Sequence, residues 1–125
     1  MNIANINGVN GETIAAKFLV KKGYDIVALN YRCRYGEVDI IAEKDEYIVF
    51  AEVKTRSENA MIMPSEAVTK QKQKKIISAA SLYLSASKTE KQPRFDVIEV
   101  FLPKNPFKKS KVKHIENAFC KEGYI

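Results

Sequence analysis

Asp39, Glu52 and Lys54 are the residues whose types and spacing best suit catalysis in this sequence. Glu52 and Lys54 alternate along YIVFAEVK (residues 47–54), a run that is apolar on both faces. As a strand, it puts both side chains on the Ile48/Phe50 face, with Tyr47, Val49, Ala51 and Val53 on the other. A carboxylate at the end of a central strand costs desolvation free energy. It persists where it is paired, opens on a cleft or holds a metal. Asp39 stands amid Val38, Ile40 and Ile41 in GEVDIIA, with Glu37 on its own face. If the two runs pair as a hairpin, Asp39 and Glu52 project into one pocket. Two carboxylates beside a backbone carbonyl suit Mg²⁺, a hard cation that keeps several waters. Such an ion activates water and stabilises charge on a phosphoryl oxygen, and a neighbouring lysine offsets transition-state charge. The chemistry would be phosphodiester hydrolysis. On spacing alone, however, a cross-strand ion pair is the commoner fate of Glu52 and Lys54. A solvated strand end is the commoner fate of Glu37 and Asp39, and a helix N-terminal acid that of Glu12.

The elements that must position these groups follow from periodicity. Asn10 to Lys22 predicts a helix, capped by Asn7 or Asn10 and stopped by Gly23. Ile14, Ala15, Phe18 and Leu19 form its apolar stripe. Tyr24–Asn30, Gly36–Ala42 and Tyr47–Lys54 predict three strands with short links, hence an antiparallel meander. Thr55 to Pro64 predicts a loop, and Pro64 or Ser65 the start of a long helix to about Ser87. Val68, Ile76, Ile77, Ala80, Tyr83 and Leu84 mark its buried side. Arg94–Leu102 predicts a fourth strand, and the helical crossover before it favours parallel pairing. Val112–Phe119 fits a final strand or a short helix. The expected architecture is a single α/β domain, αβββαβ, with a mixed central sheet flanked by helices.

Charge divides the 125 residues unevenly. Residues 1–62 hold 8 Lys/Arg and 9 Asp/Glu, whereas residues 63–125 hold 13 and 6. The whole excess of +6 therefore lies in the second half, concentrated in Lys70, Lys72, Lys74 and Lys75 and in Lys104, Lys108, Lys109, Lys111 and Lys113. Such clustering fits a polyanion, most simply nucleic acid. Cys33, Cys120 and His114 are too few for a four-ligand Cys/His zinc site, and both cysteines are expected to be free thiols. No apolar run nears the length of a membrane span, and the N-terminus lacks the pattern of a secretory signal. The expectation is a cytoplasmic protein without a membrane partner.

The motifs GETIAAKFLVKKGY (residues 11–24), GEVDIIA (36–42), FAEVKTR (50–56), EAVTKQKQKKI (66–76), RFDVIEV (94–100) and HIENAF (114–119) span most of the chain in order. By them the sequence resembles the YraN-like family of small bacterial proteins, described as endonucleases. That family is placed in the PD-(D/E)XK nuclease superfamily, close to archaeal Holliday junction resolvases. The resemblance implies that residues 1–125 form one PD-(D/E)XK nuclease-like domain with a restriction-endonuclease-like core. It implies a metal-dependent endonuclease acting on DNA rather than RNA, with branched or junction DNA as the substrate. Asp39, Glu52 and Lys54 would be catalytic, and Glu12, Asp39 and Glu52 would hold Mg²⁺ or Mn²⁺. Glu37 and Lys72 would be accessory to the site. Arg56 would touch phosphate; the charge clusters, rather than the resemblance, assign Lys70, Lys74, Lys75, Lys108, Lys109 and Lys111 to binding the nucleic acid. Resolvase relatives work as symmetric dimers, so the resemblance also implies a homodimer. The competing expectations are a nucleic-acid-binding module without useful catalysis on the same scaffold, and a protein-interaction domain whose lysines only solubilise it.

Overall fold

Apolar alternation and helical stripes resolve into seven elements in the computed structural model, which describes residues 3–58 and 68–120. They are α1 (Ile3–Lys21), β1 (Asp25–Cys33), β2 (Gly36–Lys44), β3 (Tyr47–Ser57), α2 (Lys70–Ser87), β4 (Gln92–Leu102) and β5 (Lys111–Phe119). The strands form one sheet in the order β1-β2-β3-β4-β5. β1, β2 and β3 make the expected antiparallel meander. β4 lies parallel to β3, because the intervening helix returns the chain to the starting end. β5 is antiparallel to β4.

β3 is apolar on both faces because each face meets a helix. Val49 and Ala51, with Ile98 and Val100 of β4, pack under Ala15 and Leu19 of α1. Ile48 and Phe50, with Phe95 and Val97, pack against Ile76, Ala79 and Ala80 of α2. Each large side chain so buried contributes roughly 1.5–3 kcal/mol. α1 ends in a Schellman motif: Tyr24 N–H donates to Leu19 O and Gly23 N–H to Val20 O, both at 3.0 Å. Gly23 supplies the left-handed φ of 94° that this motif requires. Among the described residues, no helix is long and apolar enough to cross a membrane.

Several boundaries differ from expectation. α1 begins at Ile3 and runs through Asn7 and Asn10, so neither caps it. A docked helix propagates through weak formers that would not nucleate one. β3 extends to Ser57, where a loop was expected, because Thr55, Arg56 and Ser57 each find a partner on β4. The expected helix start at Pro64 or Ser65 lies outside the described residues. The described α2 starts at Lys70, because Thr69 is extended (φ −66°, ψ 157°) and its hydroxyl accepts from Lys72 N–H. Residues 111–119 are a strand rather than a helix.

Candidate active site

The β2–β3 ladder ends at the pair Ile40–Ala51. Beyond it the strands no longer pair, and Asp39 fills the gap. Its Oδ2 accepts a hydrogen bond from Val53 N–H at 2.8 Å, so a side chain replaces the missing backbone rung. α1 closes over the same place. Gly11 comes so near β3 that an added Cβ would overlap the Thr55 hydroxyl, and Glu12 follows it directly. The carboxylates of Glu12, Glu37 and Asp39 thereby lie within 4.8 Å of one another. Glu52, also buried, borders this trio. Lys72 lies one helical turn before Ile76 on the buried stripe of α2, so its ammonium is aimed at the sheet. Its Nζ stands 3.8 Å from Glu52 Oε1.

Electrostatics separate these acids from the other buried ones. Burial pushes the Asp39 carboxyl up to about 7; the Val53 amide opposes that shift, and the neighbouring Glu52, Glu12 and Glu37 add to it. Burial also raises Glu52, against the pull of Lys72 and Lys54. Asp96 is fully buried on β4, and burial alone would raise it too. Yet its carboxyl sits below the usual range, because hydrogen bonds from His114, Arg94 and the Asn117 amide override desolvation. Arg94 donates to both Asp96 oxygens, at 2.9 and 2.8 Å. His114 Nε2 lies 2.7 Å from Oδ2. Buried Glu99 accepts from Arg56 Nε at 3.0 Å. Asp96 and Glu99 are therefore satisfied structural acids. The Glu12–Glu37–Asp39–Glu52 group is crowded with like charge, the condition under which a divalent cation is most stabilising.

The structure brings together Glu12, Glu37, Asp39, Glu52 and Lys72, with Lys54 on the Glu52 face of β3. Glu37, expected only as an accessory, stands inside the tightest trio, while its Oε2 also meets Arg32 Nε at 3.0 Å. Arg56 is engaged by Glu99 and only 13% exposed, so a phosphate would have to compete for it. Lys70, Lys74 and Lys75 are exposed on the first turns of α2, and Lys108, Lys109 and Lys111 around the β4–β5 connection. β3 and β4 end, and β2 and α2 begin, at one end of the sheet, so these lysines share an end with the acids. A groove of about 950 Å³ opens elsewhere, between α2 and the start of β4, lined by Leu84, Phe95 and Cys120 but by none of the four acids. The Asp96–Arg94–His114 network escaped the sequence reading. Its one available signal was Arg94 two positions before Asp96, on the same strand face. Cys33 and Cys120 are free thiols, as expected.

A model of the uncharacterised protein family UPF0102 matches residues 11–100, from the close-approach glycine through β4. A UPF0102 protein of Caldanaerobacter subterraneus subsp. tengcongensis is 49% identical over 113 residues, which cover 90% of this chain and 93% of that one. One from Alkaliphilus oremlandii is 48% identical over 115 residues, covering 90% and 96%. One from Clostridium perfringens is 52% identical over 94 residues, covering 74% and 77%. The chain belongs to the UPF0102 family. That is the YraN-like family which the sequence motifs resemble, so the expected membership holds. Glu12, Glu37, Asp39, Glu52, Lys54 and Lys72 all fall inside the matched span.

Proposed function

We propose that this UPF0102 protein is a metal-dependent endonuclease that hydrolyses phosphodiester bonds in DNA, with branched DNA as the preferred form, and that its chain is one PD-(D/E)XK nuclease-like domain. The observation that carries the reading is the convergence of Glu12, Glu37 and Asp39 within 4.8 Å beside Glu52 and two lysines. The donor set fits the ion. It offers hard carboxylate oxygens from three elements, two of them from acids whose ionised form burial disfavours, and no soft ligand. Glu12, Asp39 and Glu52 would hold Mg²⁺ or Mn²⁺, with Glu37 alongside. Once bound, the ion would supply Lewis-acid polarisation of the phosphoryl oxygen and a more acidic water. Lys54 and Lys72 would place positive charge where the phosphorane develops negative charge. The lysines at the same end of the sheet would hold the strand by its phosphates.

The test is incubation of the purified protein with Mn²⁺ or Mg²⁺ and linear, flapped and four-way DNAs. The expected result is a product that chelation abolishes and that falls by 10²-fold or more, on the order of one lost electrostatic group, in both Asp39→Asn and Glu52→Gln. Product formation that survives both substitutions would mean a contaminant. DNA binding without any product, unaltered by EDTA, would favour a binding module on this scaffold.

A further inference from the structure

Phe107 is 95% exposed, the most exposed of the large apolar side chains among the described residues. It sits at the tip of the β4–β5 connection with Lys104, Lys108, Lys109 and Lys111 around it in sequence. The tip is a built turn. Lys108 N–H donates to Asn105 O at 3.1 Å, and Phe107 N–H donates to Asn105 Oδ1 at 2.9 Å. Pro106, between them, fixes its own φ. At the base of the loop, Lys104 N–H reaches Glu58 Oε1 at 3.4 Å, tying it to the end of β3. The phenyl ring is therefore held out into water by an ordered turn within a basic loop.

The sheet fixes where the loop that carries this ring leaves, relative to the acids. Glu52 is level with Val97, and Ser57 with Leu102. The loop thus leaves β4 roughly 17 Å beyond Glu52 at the strand rise of about 3.3 Å per residue. The ring therefore stands at the same end of the sheet as the acids, several nucleotide spacings of about 3.4 Å away. Lysines around an aromatic ring suit a nucleic-acid strand, since phosphates take the ammonium groups and an unpaired base offers a π-face. In a fully paired duplex every base is already stacked, so a ring presented from outside finds no free face.

Resting on the nucleic-acid part of the proposed function, we infer that Phe107 is a specificity residue that stacks on an unpaired base, so that the preferred substrate carries a single-stranded stretch beside the scissile bond. The β4–β5 lysines hold the phosphates on either side of that base.

The experiment measures fluorescence anisotropy in EDTA, with a labelled single strand, the same strand fully paired, and a duplex carrying a single-stranded tail. Wild type, Phe107→Ala and Phe107→Trp are compared. The expected result is that Phe107→Ala weakens binding to the single strand and the tailed duplex by about 5- to 100-fold, the effect of losing one base–aromatic stack. The blunt duplex should change by less than about twofold, and Phe107→Trp should restore tail binding. Equal binding by Phe107→Ala and wild type overturns the inference and leaves the nuclease reading standing, as does an equal loss on all three DNAs. Loss confined to unpaired DNA, with no cleavage by wild type in Mn²⁺, upholds the inference and removes the nuclease reading. Failure of wild type to bind any of the three overturns both.

Discussion

Asp39 and Asp96 are both nearly excluded from water, yet their environments drive them in opposite directions. Asp96 keeps its charge because an arginine, a histidine and a backbone amide point at it. Asp39 is displaced upward to about 7, so the folded state favours its neutral form. Its stabilising contribution is complete below its ordinary carboxylate pKa and is lost as pH rises through 7. Thermal melts should therefore show a lower Tm at pH 8 than at pH 5.5. Asp39→Asn should remove most of that difference, a gain of about 2 kcal/mol at pH 8. Millimolar Mg²⁺ should raise the wild-type Tm more at pH 8 than at pH 6, because the ion needs ionised ligands; an identical rise in Asp39→Asn would exclude Asp39 as a ligand. Asp96 has the reverse sign. Its contribution is present above the ordinary carboxylate pKa and is lost as pH falls through its lower folded value. Asp96→Ala should cost about 3 kcal/mol or more in a denaturant titration, because it strands Arg94 at a buried site. It should leave the Mg²⁺-induced shift intact. From sequence alone the two aspartates look the same, each an acid in an apolar strand. Only the partners brought by other elements tell them apart.

Element positions were largely legible, and their ends were not. The period-2 and period-3.6 patterns predicted both helices and the first four strands, and the helical crossover predicted the parallel step. They also placed Glu52 and Lys54 on one face of β3. Periodicity marked the lysines of α2 as its wet side, and only the resemblance turned Lys72 toward the site; its place one turn before Ile76 was the signal in the residues themselves. Glu37 was legible on the Asp39 face, but its closeness to Glu12 was not, since that depends on where the β2–β3 ladder stops and how α1 docks. The start of α2 depends on the backbone of Thr69, and the extension of β3 depends on partners more than 40 residues away. The fit of α1 against β3 makes a sharper point. Alanine normally favours a helix over glycine by about 1 kcal/mol. Gly11→Ala should instead destabilise the fold by about 1–3 kcal/mol, because its methyl would overlap the Thr55 hydroxyl. Thr55→Ala in the same chain should recover much of that loss, a coupling that a double-mutant cycle of unfolding free energies would measure.

At the scale of the whole molecule, the net charge of +6 has a direction. The basic clusters stand at the end of the sheet where the four acids gather, so under the proposed function a polyanion drawn by the lysines would arrive over the carboxylates. Affinity for duplex DNA should then fall steeply between low and physiological salt. Replacing Lys70, Lys74 and Lys75 with Gln should lower the slope of log affinity against log salt by up to about 3, on the scale of about 0.9 per phosphate contact. An unchanged slope would move the DNA track off α2. The strand sequence across the sheet has a last consequence. Chain order and spatial order coincide from β1 to β5, so a polypeptide emerging from the ribosome can lay each strand against the one just made. Glu12, Glu37, Asp39 and Glu52 are all synthesised before Lys72. A nascent chain that folds in this order would gather the four acids with Arg32 and Lys54 near them, and Lys72 would arrive when α2 swings back to deliver β4.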